Sequence, residues 1–333
     1  MLTFPDRAVL GMLALLGAAL LAGSIGRWLA LRHVEPPVAA ARWASLRTWW
    51  GLVVVTSLAI LLGRVGVVLL FTVASGFAFH EYLRITQPAL RRGLRIAVWL
   101  WGPLQYAAIL SGWQGGALLL LPTAAVMTTA AVQVVFAPTS GFVSRTGSLL
   151  LGLFLTVYLP SHAVLLFIFP ALAAGTPGAA GWFLFLVVLT EMNDIAQATC
   201  GRRWGRHKIC PSVSPQKTWE GWLGGLLTTT VLAIGLAPWL TPLNDPVWWR
   251  TLGVAMPSPS IWAGLLGFGL GLCGFLGDIT MSAVKRDAGV KDGSGLLPGQ
   301  GGMIDRIDSL AFTSPFVFYM LCWLTMTPKG GGP

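Results

Sequence analysis

The sequence predicts an all-α, polytopic integral membrane protein with about ten transmembrane helices and a polar site facing the cytoplasm. Three observations predict it. Of 333 residues, 55% are hydrophobic and only 10% charged, with a mean hydropathy of +0.73; a water-soluble domain carries about 25% charged residues. Apolar runs of spanning length, about 17–25 residues, recur from end to end. The basic residues gather in four segments between those runs.

The spans follow in chain order. The first is expected at residues 8–31; its length and the arginines after it favour an uncleaved span over a signal peptide. Residues 49–79 read as two tight helices divided at Gly63-Arg64, with a re-entrant pair as the alternative. Further spans are expected at 96–111, 116–136, 147–169, 178–199, 221–240, 261–279 and 310–325. The basic segments are 32–47, 84–95, 201–217 and 285–306. Two, four and two spans separate them, so all four fall on one side, the cytoplasm, and both termini lie outside.

The net charge is +10, and 17 of the 22 basic residues are Arg. In a membrane protein this excess marks cytoplasmic loops and contact with anionic lipid headgroups. Nucleic acid is not expected as a partner, because no long soluble basic domain exists. The four cysteines, Cys200, Cys210, Cys273 and Cys322, lack metal or disulfide spacing and read as packing residues. His33, His80 and His162 stand alone near apolar runs and read as structural; His207 lies in a cluster but is not expected to be a ligand. Nine of the 12 acidic residues lie from Glu191 onward. That asymmetry divides the chain into N-terminal membrane-scaffold helices, 1–177, and a C-terminal catalytic membrane domain, 178–333.

Two constellations in the second half can carry chemistry. The denser runs SAVKRDAGVKDGSGLLPGQGGMIDRID, residues 282–308. Just upstream, Asp278 sits near the end of an apolar helix; a carboxylate there is expensive to bury and marks a functional site by default. Helical spacing puts Asp278, Ser282 and one of Lys285 and Arg286 on one face. Gly293, Gly295, Gly299, Gly301 and Gly302 let backbone amides approach an anion closely. Asp305, Arg306 and Asp308 then open the last helix, the two carboxylates sharing a face. With Asp278 they are suited to Mg²⁺, which prefers a few carboxylates plus water and substrate phosphates. Carboxylates for a metal beside cations for phosphates are the equipment of phosphoryl or nucleotidyl transfer. The bland alternative is a loop whose charges only fix topology.

The second constellation spans 191–221. Asp194 and Gln197 end an apolar segment, and Arg202, Arg203, Arg206, His207 and Lys208 follow, a cluster that also fits a plain topology signal. Ser214-Pro215 reads as a helix start, with Ser214 as N-cap, Pro215 at the first helical position, and Lys217 and Thr218 in the first turn. A helix N-terminus binds phosphate; simple capping is the alternative.

These residues resemble the integral-membrane phosphatidate cytidylyltransferases. That family's C-terminal signature is matched at Ser282, Val284, Lys285, Arg286, Lys291, Asp292, Ser294, Leu297, Pro298, Gly301, Gly302, Met303, Asp305, Arg306, Ile307 and Asp308. Gln300 stands where the family has His. The SPxKTxEG element is matched at Ser214, Pro215, Lys217, Thr218, Glu220 and Gly221, and GRRWGRHK (201–208) looks like the family's GRxFGKHK. The resemblance is strong over 190–316; the first half is similar only as a multi-span scaffold. It implies that CTP and phosphatidic acid, or a related lipid phosphate, give CDP-diacylglycerol and pyrophosphate. It also implies Mg²⁺, with a second metal ion left open, a homodimer, and a bacterial inner membrane with the site facing the cytoplasm. On that reading Asp278 and Asp305 bind metal and Asp308 assists. Lys285, Arg286, Lys291 and Arg306 balance substrate and transition-state charge, with Gln300 in the catalytic group. Asp194, Ser214, Lys217, Thr218, Ser282, Asp292, Gly301 and Gly302 contact substrate. The alternative is a catalytically silent or altered-substrate relative that binds or transports a lipid phosphate, for which Gln300 is the only sequence support. A CDP-alcohol phosphotransferase is disfavoured because its DGxxAR motif is absent.

Overall fold

The computed structural model describes residues 6–32, 35–169, 177–252 and 258–326. His33 lies outside them. Among the described residues the chain is all-α but for one two-stranded hairpin. Among the described residues, eight helices are long and apolar enough to cross a membrane, and the protein is an integral membrane protein. The other two expected spans fall on broken pieces. One is α4 (Arg92–Trp99) and α5 (Trp101–Leu110); the other is a π-helical turn (Gly116–Leu120) running into α6 (Leu121–Phe136).

In the first half, α1 (Arg7–Leu31), α2 (Pro36–Leu61) and α3 (Gly63–Thr86) are full-length helices. The stretch 49–79 is therefore two complete helices rather than a re-entrant pair. Each extends beyond the apolar run. Pro36 starts α2 at the first helical position, where its missing N–H is not needed. As a result most of the expected basic loop 32–47 is helix, and Arg42 and Arg47 are its exposed, solvent-seeking residues. The break falls at Gly63, whose φ of +68° suits a residue without a Cβ. At the other end, α3 runs past Phe79 to carry Glu81, which is 5% exposed. The expected span at 147–169 is one helical rod, α7 (Phe142–Leu153), a π-helical turn (Phe154–Tyr158) and α8 (Leu159–Ile168).

The second half is built from α9 (Gly178–Trp204), α10 (Trp219–Leu240), the short α11 (Pro246–Leu252), α12 (Pro259–Asp287) and α13 (Ile304–Met326). α9, α10, α12 and α13 pack successively against one another, and α13 also packs on α8. Apolar burial drives little helix association in lipid, so close approach and polar contacts hold such helices together. Both are present. Fully buried Asn193 on α9 accepts from Thr229 of α10 (3.2 Å) and donates to the Gly271 carbonyl of α12 (3.4 Å). Thr190 bonds Thr313 of α13 (3.0 Å). Gly277 of α12 lies against the Asp308 carbonyl of α13, where a Cβ would overlap it. The four cysteines are free thiols. His162 is buried beneath Tyr158, Phe318 and Tyr319, in keeping with a structural role.

Candidate active site

Between α9 and α10 the chain forms an antiparallel hairpin, β1 (Lys208–Cys210) and β2 (Ser214–Thr218), pairing Lys208 with Thr218 and Cys210 with Ser214. This corrects the reading of Ser214 as a helix N-cap. The residue before a proline is pushed to extended backbone, and here the extension continues through Thr218. Thr218 is the N-cap of α10, its Oγ1 accepting from the Gly221 N–H at 3.1 Å. Glu220, in the first turn of α10, fastens the hairpin from below. It accepts from the Arg206 N–H (3.0 Å), the His207 N–H and His207 Nδ1 (2.6 Å).

The hairpin, α9, α12 and the start of α13 enclose a cavity of about 1040 Å³. A second cavity of about 600 Å³, between α1 and the end of α10, is lined mainly by apolar residues and holds none of the signature residues. The expected residues that line the larger cavity are Asp194, Ser214, Lys217, Asp278, Lys285, Asp292, Gln300, Gly301, Asp305, Arg306 and Asp308. Two segments more than 60 residues apart in sequence thus line one space.

Ion pairs organise that lining. Lys217 Nζ lies 2.5 Å from Asp278 Oδ2 and donates to Gln197 Oε1 at 2.9 Å. Lys285 Nζ lies 2.6 Å from Asp305 Oδ1. α12 stays helical through Asp287, so the face carrying Asp278 and Ser282 also carries Lys285, which is 8% exposed. Ser282 donates to Asp278 Oδ1 (3.3 Å). Burial pulls the Lys217 ammonium down, but Asp278, Asp194 and Asp308 outweigh it and its pKa lies above the ordinary lysine value. It is a fixed cation.

Other expected residues sit elsewhere. Arg286 points outward, donating to the carbonyls of Val213 (3.1 Å) and Val290 (3.3 Å), and so ties the hairpin turn to the signature loop. Lys291 is exposed and, like Arg286, outside the cavity lining. Thr218, Ser282 and Gly302 act from behind the wall, as cap, as partner of Asp278, and as donor to Asp305. Asp305 is heavily engaged: its Oδ2 accepts from the N–H groups of Gly293 (3.1 Å) and Gly302 (2.8 Å). The glycine-rich loop does cradle an anion, but that anion is the chain's own Asp305. Its left-handed positions are Gly289, Gly299 and Gly301.

No group of three His, Cys, Asp or Glu side chains is placed to hold a metal among the described residues. The donors nonetheless suit a hard cation completed by water and phosphate. Asp194, Asp278 and Asp308 lie close enough to repel one another. Asp194 Oδ2 accepts from Ser309 Oγ (2.8 Å), while its buried Oδ1 has no hydrogen-bond partner among the described residues. Arg306 Nε is likewise buried and without a partner.

Sequence reasoning passed over the contribution of the first half. Trp49 of α2 lines the cavity. Gln300 donates to Ser45 Oγ (2.6 Å), and Thr48 donates to the Pro298 carbonyl (2.9 Å). Glu81 of α3 accepts from Ser294 Oγ (2.5 Å) and from the Ile304 N–H (3.0 Å). Only Glu81 carried a signal, as the sole acidic residue between Glu35 and Glu191 and one that closely follows an apolar run.

The family model for the cytidylyltransferase family matches residues 43–324. The chain belongs to the cytidylyltransferase family. The match takes in α3 through most of α13 as well as the signature, so membership extends across the scaffold helices. An uncharacterized Escherichia coli protein, YnbB, is 41% identical over 278 residues, 83% of this chain and 86% of its own length. The phosphatidate cytidylyltransferase of Mycobacterium bovis is 28% identical over 275 residues, 78% of this chain and 80% of its own. That of Haemophilus influenzae is 38% identical over 140 residues, 41% and 44% of the two chains.

Proposed function

We propose that the protein transfers the cytidylyl group of CTP to phosphatidic acid, releasing pyrophosphate and leaving CDP-diacylglycerol in the membrane. The observation that carries this reading is the cavity lining, in which the Lys217–Asp278 and Lys285–Asp305 pairs stand with buried Asp308 and half-buried Asp194 and Arg306. Such a lining suits two polyanions brought together. An oxygen of the lipid phosphate attacks the α-phosphorus, the bond from that phosphorus to the bridging oxygen breaks, and its electron pair leaves with pyrophosphate. The attacking oxygen is already anionic, so no strong general base is needed. The work is positioning and charge stabilisation. Lys217, Lys285 and Arg306 hold phosphate oxygens, and Lys208 and Arg202, at the cavity edge, attract the nucleotide. The paired carboxylates keep the Lys217 and Lys285 ammonium groups oriented before substrate arrives.

Mg²⁺ fits this reading with two carboxylates, Asp278 and Asp308, holding it and water and substrate phosphate completing its shell; when bound it would neutralise charge on the polyphosphate. Asp305, occupied by Lys285 and two amides, supports the loop and is the least available of the expected ligands. The reading further includes a homodimer in a bacterial inner membrane with the cavity open to the cytoplasm.

The test is purified protein in detergent with radiolabelled CTP, Mg²⁺ and a panel of lipid phosphates. Formation of CDP-lipid from phosphatidic acid supports the proposal. CTP binding without turnover, and no gain from Gln300→His, supports the silent relative instead. Product from a different lipid phosphate alone would redirect the substrate assignment.

A further inference from the structure

Glu81 has no part in the chemistry proposed above, yet it is the scaffold carboxylate most deeply involved with the signature loop. It is 5% exposed, and among the described residues it forms no ion pair. Burying a carboxylate without a counter-ion is costly unless hydrogen bonds satisfy it. Both of its oxygens are satisfied by one segment more than 200 residues away. Oε1 takes the Ser294 hydroxyl at 2.5 Å, and Oε2 takes the N–H of Ile304, the first residue of α13, at 3.0 Å. The fit is tight: a Cβ on Gly302 would lie 2.5 Å from Oε2, and one on Gly293 3.4 Å from it.

The same segment is gripped from the other side. Asp305 accepts from Gly293 and Gly302 and pairs with Lys285. The loop therefore lies between two carboxylates, Asp305 on the cavity side and Glu81 behind it. A carboxylate at a helix N-terminus also satisfies an otherwise orphaned N–H and suits the helix dipole. The first turn of α13, which Glu81 fixes, carries Asp305, Arg306 and Asp308 into the cavity.

We infer that Glu81 is a positioning residue for the active site: from α3 it sets the register of the signature loop and the first turn of α13. Its effect on turnover rests on the cytidylyl-transfer reading; its effect on the loop does not. The experiment therefore has two arms on full-length protein in detergent. Hydrogen exchange read by mass spectrometry should show residues 291–309 exchanging at least about tenfold faster in Glu81→Ala, with the hairpin at 208–218 unchanged. Ser294→Ala, which removes one contact, should loosen the same segment to a smaller degree. Glu81→Gln should retain most protection, because its amide can accept from Ile304 and donate to Ser294. In the CTP assay, Glu81→Ala should lower kcat about 10- to 100-fold with KM for CTP within about threefold, since misplacing groups by about 1 Å costs rate rather than affinity; Glu81→Gln should restore most of it. Unchanged exchange at 291–309 in Glu81→Ala overturns the inference. So does loss of protection throughout that variant with none at 291–309 in Ser294→Ala. If wild-type protein makes no CDP-lipid, the proposed reaction fails while the exchange data still decide the role of Glu81.

Discussion

Replacing Lys217 with Met removes the cation that stands among Asp278, Asp194 and Asp308 and leaves the volume nearly unchanged. Its ammonium lies 2.5 Å from Asp278 Oδ2, with side chains 19% and 21% exposed. At an effective dielectric of about 20, unit charges at that separation attract by roughly 6–7 kcal/mol. Desolvation offsets much of this, and removing one member of a buried pair costs about 3–5 kcal/mol. With a fifth of each side chain in contact with solvent, about 3 kcal/mol is the better figure for Lys217→Met. Adding Asp278→Asn removes the uncompensated charge, so the double variant should regain about 2 kcal/mol over the Lys217 single variant. Turnover should not return, because the cation and the carboxylate are each needed for substrate. The assays are reversible denaturation in detergent and radiolabelled CTP turnover on all four proteins. Strictly additive stabilities would show that Lys217 and Asp278 are not coupled, and Lys217→Met turning over like wild type would show that the cation is not needed.

Because the Lys217 pKa is raised, its stabilising contribution is complete below the unfolded value of about 10.4 and fades only above it. The part of the stability gap between wild type and Lys217→Met that comes from the lysine's own charge should thus persist up to about pH 10 and shrink above it, as read from denaturation curves across that range. Asp278→Asn and Asp305→Asn should each abolish CDP-lipid formation while the proteins still insert into membranes, measured by fractionation beside the CTP assay. Chelation with EDTA should stop turnover and added Mg²⁺ restore it; turnover unaffected by chelation removes the metal from the proposal. Gly302→Ala places a Cβ 2.5 Å from Glu81 Oε2 and 2.8 Å from the Ser294 nitrogen. It should cost about 1–3 kcal/mol of stability and lower turnover, whereas Gly295→Ala, which meets nothing, should be silent in both.

Much of this protein was legible in its sequence, because the relevant physics is local. Hydropathy over about 20 residues decides whether a segment spans a membrane, and eight spans follow directly from it. Helical periodicity alone places Asp278, Ser282 and one basic residue on one face, and Asp305 and Asp308 on another. What local spacing could not choose was between Lys285 and Arg286. Packing against α13 turns Lys285 onto Asp305, while Arg286 reaches the hairpin turn. Nor could it foresee the hairpin itself: Ser214-Pro215 is as good a helix start as a strand start until Thr218 is seen capping α10.

The partners that define the site lie far apart in the chain and are brought together by helix packing. Lys217 meets Asp278 across 61 residues and Gln300 meets Ser45 across 255. The membrane class, the family signature and the charged residues can be read from the chain alone, since composition and short-range order suffice for those. Folding decided which of those charges are paired, which carbonyls and amides they occupy, and that the signature loop is held by Glu81 from a helix in the first half of the chain. A buried charge takes whatever partner the packed helices bring within about 3 Å, and that partner is set by helix packing rather than by distance along the chain.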